Sequence, residues 1–413
     1  MIAVVKGRIM TITQGTIENG TILIEGGRIA AVGKDVDIPK GTEVYDASGK
    51  TVMPGLIDAH CHTGIFADGV GHHEYDGNEM TDPVTPHLRA IDAIHPDDMA
   101  FKDLREAGVT TINTGPGSGN LIGGQFACIK TKKASTIEDM IIMAPSGMKM
   151  ALGENPKRVY GEDKKLPSTR MANAAHLRSV FIEAQNYHEK WVRHKEKCGH
   201  YEERLRRWES EQNKDHGERP EEPDPPERDI RLESLVPVIQ GKLRAMIHCH
   251  RADDIMTAIR IAEEFDLRFS IEHATEGFKI AEILAHKGIP CVVGPILFSR
   301  TKYELREMTP KNPVVLNKAG VKVAIQTDEM SAVKYITLNA ALAVQQGMEE
   351  DEALKAITIY PAEIIGVADR VGSLEVGKDG DLVVFSGHPL DYRSVTDLVL
   401  IEGTKAYERN RLH

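Results

Sequence analysis

Four short clusters in this chain carry the residue types that bind metal ions and activate water: His60-Cys61-His62, His248-Cys249-His250, Glu272-His273 and Thr327-Asp328. Zinc and related divalent ions take neutral imidazoles and carboxylates as ligands, and a catalytic site keeps one position open for water. Two histidines at i and i+2 of a strand share a face, because successive side chains alternate. Each His-x-His can therefore aim two imidazoles at one point. Alternation sends Cys61 and Cys249 to the other face, as packing residues. Ordinary hydrogen bonding would account for one such cluster, but not for four that each close a strand-like run.

The ligand set read from these clusters is His60, His62, one of His248 and His250, His273 and Asp328, enough for one or two ions. His248 is favoured because it is closer to its strand, which leaves His250 for substrate; the reverse assignment stays open. Asp328 follows the apolar run Val323-Ala324-Ile325. A carboxylate there can touch the metal, hold its water and accept a proton as that water attacks. Asp328 and His273 are thus the catalytic candidates. A bound ion lowers the pKa of water from about 15.7 to about 7, so no activated Ser or Cys is needed. A two-metal centre also needs a bridging anion, and the run Met148 to Lys157 offers two. Glu154 ligates as it stands and is preferred; Lys149 is the alternative and would first have to be carboxylated by CO2.

The elements that must position these groups are legible as texture. From 54 to 368, short apolar runs alternate with helical stretches such as Asp97 to Ala107, Ala252 to Phe265 and Gly277 to His286. That alternation predicts an α/β chain built on a (β/α)-barrel, whose active groups stand at the C-terminal ends of the strands. Residues 1–53 and 369–413 instead alternate apolar and polar residues between glycines, with a hairpin signal at Glu25-Gly26-Gly27-Arg28. These two ends are expected to pair into one composite β-sandwich. A charged helical insertion is expected around 187–231, ending in the Pro/Glu run Arg219 to Arg228. Its mixed charge favours a solvated face with a loose return loop and exposed His188, His194, His200 and His216, over a lid or an oligomer contact.

The order of the motifs carries a family resemblance. Pro54-Gly55-Leu56-Ile57-Asp58-Ala59-His60-Cys61-His62, then His248-Cys249-His250, Ile271-Glu272-His273-Ala274 and Gln326-Thr327-Asp328, flanked by strand-rich ends, resemble the amidohydrolase superfamily. The likeness is to its imidazolonepropionase-like and prolidase-like branch and covers nearly the whole chain. It implies a distorted (β/α)8 TIM-like barrel with a composite β-sandwich and a centre of one or two divalent ions, zinc first, with manganese or iron as alternatives. It also implies hydrolysis of an amide, cyclic amide or peptide-like C–N bond in a small substrate, with Asp328 as proton shuttle. The run Gly153-Glu154-Asn155-Pro156-Lys157 departs from the lysine-containing strand motif of a typical prolidase-like member, so the metal count stays at one or two. The alternatives are a heterocycle deaminase using the same water attack and a non-catalytic barrel scaffold. The intact ligand set argues against the scaffold.

Two loops are placed over the barrel mouth: Gly71 to Glu79, with His72 and His73 as substrate ligands, and the glycine-rich Gly115 to Gln125, whose N–H groups suit an anion. Lys157 and Arg158 are candidates to pair with a substrate carboxylate. The net charge of −11 excludes a broad nucleic-acid surface. Five scattered cysteines fit a reducing compartment, and no apolar stretch is long enough for a membrane helix, so a cytoplasmic homo-oligomer is expected.

Overall fold

The computed structural model describes residues 1–69, 75–210 and 218–410. The N-terminal alternation forms β1 (Ile2–Met10), β2 (Thr16–Glu25), β3 (Arg28–Gly33), β4 (Glu43–Asp46) and β5 (Thr51–Pro54). In β1, Ile2 to Val5 are all buried; the pairing with β2 shifts register between Val4 and Gly7, where Lys6 holds φ +58°, and beyond it Lys6 and Arg8 face solvent while Gly7 and Ile9 are buried. The barrel strands follow as β6 (Leu56–Cys61), β7 (Val109–Thr114), β8 (Ile122–Lys130), β9 (Ile141–Ala151), β10 (Ala245–Cys249), β11 (Phe269–His273), β12 (Cys291–Val293) and β13 (Val323–Ile325). The chain then returns to the first sheet with β14 (Leu382–Phe385), β15 (Thr396–Ile401) and β16 (Thr404–Glu408). Strand β5 pairs with β14, so both chain ends build one sheet, beside the barrel.

Barrel strands neighbour one another in chain order. All pairings are parallel except those of β8, which runs antiparallel to both β7 and β9. This is the distortion in the barrel. The glycine-rich run was expected to stay a loop through Gln125, yet Ile122 onward is strand. Gly124 makes this possible: its φ is +130°, and a Cβ there would lie 2.6 Å from the carbonyl oxygen of Leu88. Pairing on both sides overrides the weak strand preference of glycine.

The helices α1 (Met99–Glu106), α2 (Glu154–Glu162), α3 (Arg170–Ser210), α4 (Ile230–Ile239) and α5 (Ala252–Glu264) cover part of the wall. Asp98 caps α1 by accepting from the Ala100 N–H at 2.9 Å. In α5, Ile255, Ala258, Ile259 and Ala262 recur at helical spacing and are buried against β10 and β11, while Asp253 and Asp254 occupy the positive first turn. Each isoleucine so buried contributes about 1.5–3 kcal/mol. Asp266, in the left-handed region with φ +51°, ends the helix.

The expected insertion is an ordered arm. Over its first half, α3 buries Leu177, Val180, Phe181 and Ala184 in the core shared with α4 and α5. Its outer half is about 34 Å long at 1.5 Å per residue. There, partly covered Trp191, His194, Cys198, Tyr201, Leu205 and Trp208 recur in steps of three and four, which makes one stripe. Residues 218–229 are neither helix nor strand, with Pro220 buried and Pro223 and Pro226 half-buried. Arg228 lies within electrostatic reach of Tyr187 on α3. Of the histidines expected to be exposed here, His188 and His194 are instead half-buried. His200 is exposed, and His216 lies outside the described residues. All five cysteines are free, and among the described residues no helix is long and apolar enough to cross a membrane.

Barrel and terminal sheet are joined through a buried lysine. Lys130 on β8 reaches Asp379 at 2.9 Å and Asp381 at 2.5 Å, and Arg370 adds a bond to Asp379 at 2.8 Å. Burial alone would lower the Lys130 pKa; Asp381 and Asp379 outweigh it and keep the ammonium charged. Removing one partner of such a group strands the other charge. Lys130→Met is expected to cost about 3–5 kcal/mol in denaturant unfolding, the range for breaking a buried ion pair. A loss below about 1 kcal/mol would show that the network holds nothing together.

Candidate metal centre

The sequence-predicted groups converge at one end of the barrel. Asp328 Oδ1 lies 3.2 Å from His62 Nε2 and 3.6 Å from both His60 Nε2 and His273 Nε2. The rings of His248 and His250 stand 4.2 and 4.7 Å from that of His273, centroid to centroid. Two sets of donor atoms lie within 4.8 Å of one another: His248, His250 and His273, and His60, His273 and Asp328.

The barrel seam sets this convergence. Asp58 Oδ1 accepts from the His60 N–H at 2.9 Å, and its Oδ2 accepts from the N–H and hydroxyl of Thr327 at 3.0 and 2.7 Å. Next to it, the Asp328 N–H donates to the His60 carbonyl at 3.2 Å and the His62 N–H to the Glu329 carbonyl at 3.0 Å. The first and last barrel strands are thereby laced at the point where both present ligands. Asp328 and His273 both hold positive φ, +56° and +70°. His273 pairs in register with Cys249, which faces the helix-side core, whereas Glu272 pairs with His248. A regular strand would send His273 outward; its left-handed backbone re-aims the ring, a strain typical of functional sites.

Four of the five rings are held through Nδ1. Nδ1 of His60 bonds Glu272 Oε2 at 3.0 Å, Nδ1 of His62 the Gly115 carbonyl at 2.8 Å, Nδ1 of His273 the Gly294 carbonyl at 2.8 Å, and Nδ1 of His250 the Thr275 hydroxyl at 2.8 Å. With Nδ1–H donating, Nε2 keeps its lone pair, the arrangement that metal-binding histidines use. Burial lowers the pKa of His60, His248 and His250 well below the usual value and that of His273 to about 3, so these imidazoles are neutral. Nδ1 of His248 and Nε2 of His250 and His273 are buried without a hydrogen-bond partner. Orphaned, neutral imidazole nitrogens around a carboxylate fit a divalent ion. Both members of the second His-x-His meet this description.

Lys149 on β9 is fully buried, with Nζ 2.7 Å from His60 Nε2. Burial lowers its pKa to about 8. Glu154, the preferred bridging group of the sequence, is turned elsewhere. Gly153, at φ +94°, starts α2, and Glu154 Oε2 accepts from the Glu304 N–H at 3.2 Å while Glu304 Oε1 accepts from the Glu154 N–H at 2.8 Å. Glu154 thus clamps two loops and is absent from both donor sets.

The expected substrate groups fare differently. His72 and His73 lie outside the described residues. Lys157 is half-buried and Arg158 exposed on α2, neither in contact with the imidazoles. In the glycine-rich loop two of the N–H groups are already committed, that of Gly117 to the Gly77 carbonyl at 2.7 Å and that of Gly119 to Asn78 Oδ1 at 2.8 Å. Glu272 and Asp58 escape the sequence reading, which weighed only strand-end groups. The signal for Glu272 was Ser270-x-Glu272, two polar residues on one face of an apolar strand, joined at 2.5 Å.

Comparison with known proteins agrees with the site. The chain is 27% identical to imidazolonepropionase of Geobacillus kaustophilus, over 90% of this chain and 85% of that protein. It is 27% identical to amidohydrolase tasK of Hapsidospora irregularis over 94% of its own length, but spans only 40% of that relative. The crystal structure of an amidohydrolase from Thermotoga maritima superposes with a TM-score of 0.87 at 40% identity, covering 99% of this chain and all of the other. The profile of the Amidohydrolase family matches residues 51–406. This chain therefore belongs to the amidohydrolase family, hydrolases that act on C–N bonds.

Proposed function

We propose that the chain hydrolyses an amide, cyclic amide or peptide-like C–N bond of a small substrate, with Asp328 as the proton-transfer group and Lys149 as the bridging residue. One observation carries the reading: three imidazole Nε2 atoms lie within 3.6 Å of a single carboxylate oxygen, Asp328 Oδ1. A divalent ion held by His60, His62, His273, Asp328 and one of His248 and His250 supplies Lewis-acid polarisation of the carbonyl and a more acidic water. Zinc is the first candidate for this donor set, with manganese or iron as alternatives.

The chain's own residues do the rest. Burial opposes ionisation of Asp328, but His273, His62 and His60 outweigh it and hold the carboxyl well below the usual range. It is therefore a carboxylate at neutral pH and 29% exposed at the mouth, while His60 and His273 beneath it are buried. The carboxylate accepts a proton from the attacking water and returns it to the departing nitrogen, so that the C–O bond forms, the C–N bond breaks and the amine leaves protonated. Glu272 holds the ring of His60 throughout. Lys149, with its pKa near 8, presents a neutral amine fraction at physiological pH. That form reacts with CO2 to give a carbamate and a proton, which places an anion next to His60. Release of ammonia instead of an amine and a carboxylate would move the chain to the deaminase reading.

Asp328→Asn is expected to lower kcat by about 10³-fold or more with an unchanged melting temperature, general acid–base groups contributing roughly 10²–10⁴. Activity within about 10-fold of wild type would remove Asp328 from the mechanism. Metal analysis separates the bridging candidates: Lys149→Met is expected to lose about one equivalent of bound metal relative to wild type, and Glu154→Gln none. The opposite pattern would restore Glu154.

A further inference from the structure

The loop after β12 brings a cation to the centre that the hydrolytic reading does not use. Lys302 Nζ donates to Asn155 Oδ1 at 3.0 Å. Asn155 Nδ2 donates to Ser118 Oγ at 2.7 Å and lies 3.5 Å from His248 Nε2. Lys302, Asn155 and Ser118 are all half-buried; Lys302 and Ser118 come from the loops after β12 and β7, and Asn155 from the first turn of α2, which follows β9. Three barrel connections thus meet on the His248 side of the centre.

Among the described residues, no carboxylate lies within 4.0 Å of the Lys302 ammonium. Glu304, Asp328 and Glu154 favour its charge only from beyond contact distance. Glu154 accepts from the Glu304 backbone, and Glu304 accepts from the Glu154 backbone and pairs with Arg170. The charge of Lys302 nevertheless reaches the site, since it disfavours protonation of His248, His250 and His273. A half-buried ammonium without a counter-ion in contact is unfavourable, and burial lowers the pKa of Lys302. An arriving carboxylate would supply the missing partner and form a charge-assisted bond. The Ser118 hydroxyl, already receiving a bond from Asn155, keeps its own hydrogen to donate.

We propose that Lys302 and Ser118, positioned by Asn155, form a carboxylate-binding corner, so that the substrates are amides carrying a carboxylate close to the scissile nitrogen, such as N-acyl amino acids. This rests on the C–N hydrolase reading and narrows its substrate class. It also moves carboxylate recognition from Lys157 and Arg158 to a group in contact with the His248 neighbourhood.

The test uses N-acetyl derivatives of glycine, leucine, proline and phenylalanine, each as the free acid and as the carboxamide. Binding to the metal-loaded protein is read by calorimetry and hydrolysis by amine release. The wild type is expected to favour the free acids by about 10-fold or more. Lys302→Met should erase that preference through KM rather than kcat, leaving carboxamides within about 2-fold, metal content and melting temperature unchanged, while Lys302→Arg retains most of it. Equal treatment of acids and carboxamides by the wild type, or equal loss of both in Lys302→Met, would overturn the proposal. Acid preference in binding without hydrolysis of any acid or carboxamide would support the corner and count against C–N hydrolysis of this class.

Discussion

Asp58 accepts three hydrogen bonds at the seam where the first and last strands of the barrel meet, and the geometry of the whole centre depends on that contact. Burial pushes its carboxyl up to about 7, so this is an expensive place for an acid. An apolar residue of similar size would leave the Thr327 N–H and hydroxyl without an acceptor. Through Thr327, Asp58 fixes the start of the turn that carries Asp328, and through the His60 N–H it fixes the strand end that carries the first two imidazoles. The ligands of the first and last strands are thereby set against each other before any ion binds. Pre-organisation of this kind lets a metal site form without moving the backbone.

Around the seam, aim and protonation are set by different means. Aim comes from Nδ1 contacts to Glu272, Gly115, Gly294 and Thr275, which leave Nε2 directed inward. Protonation comes from burial, which keeps the imidazoles neutral and brings Lys149 down to about 8. A lysine in an apolar strand is costly as a free ammonium. Its flanks, Met148 and Met150, pack in the helix-side core, so alternation drives Lys149 into the barrel interior beside His60.

Much of this was legible in the sequence because strands have a period of two. His60-Cys61-His62 and His248-Cys249-His250 announce a shared face, and the cysteines between them do pack in the helix-side cores. The barrel and the sheet shared by both ends followed from changes in texture along the chain. The rest failed where the backbone leaves its regular period. Strand β8 hides in a glycine run because its pairing, not its composition, makes it a strand. Glu154 looked like a ligand until the turn at Gly153 carried it into α2. Lys149 carried the contrary signal, a charged residue between two buried methionines. His273 reaches the centre through a positive φ that no pattern announces.

The central claim is that the imidazoles from β6 and β11 and the Asp328 carboxylate share one ion. Anomalous diffraction at the zinc edge from crystals of zinc-reconstituted protein addresses it directly. The account predicts a peak between Asp328 Oδ1 and the Nε2 atoms of His60, His62 and His273, at the roughly 2.0–2.2 Å distances of zinc to nitrogen and oxygen. Density only at a cysteine thiolate or at Glu154, with none among these four residues, would contradict it.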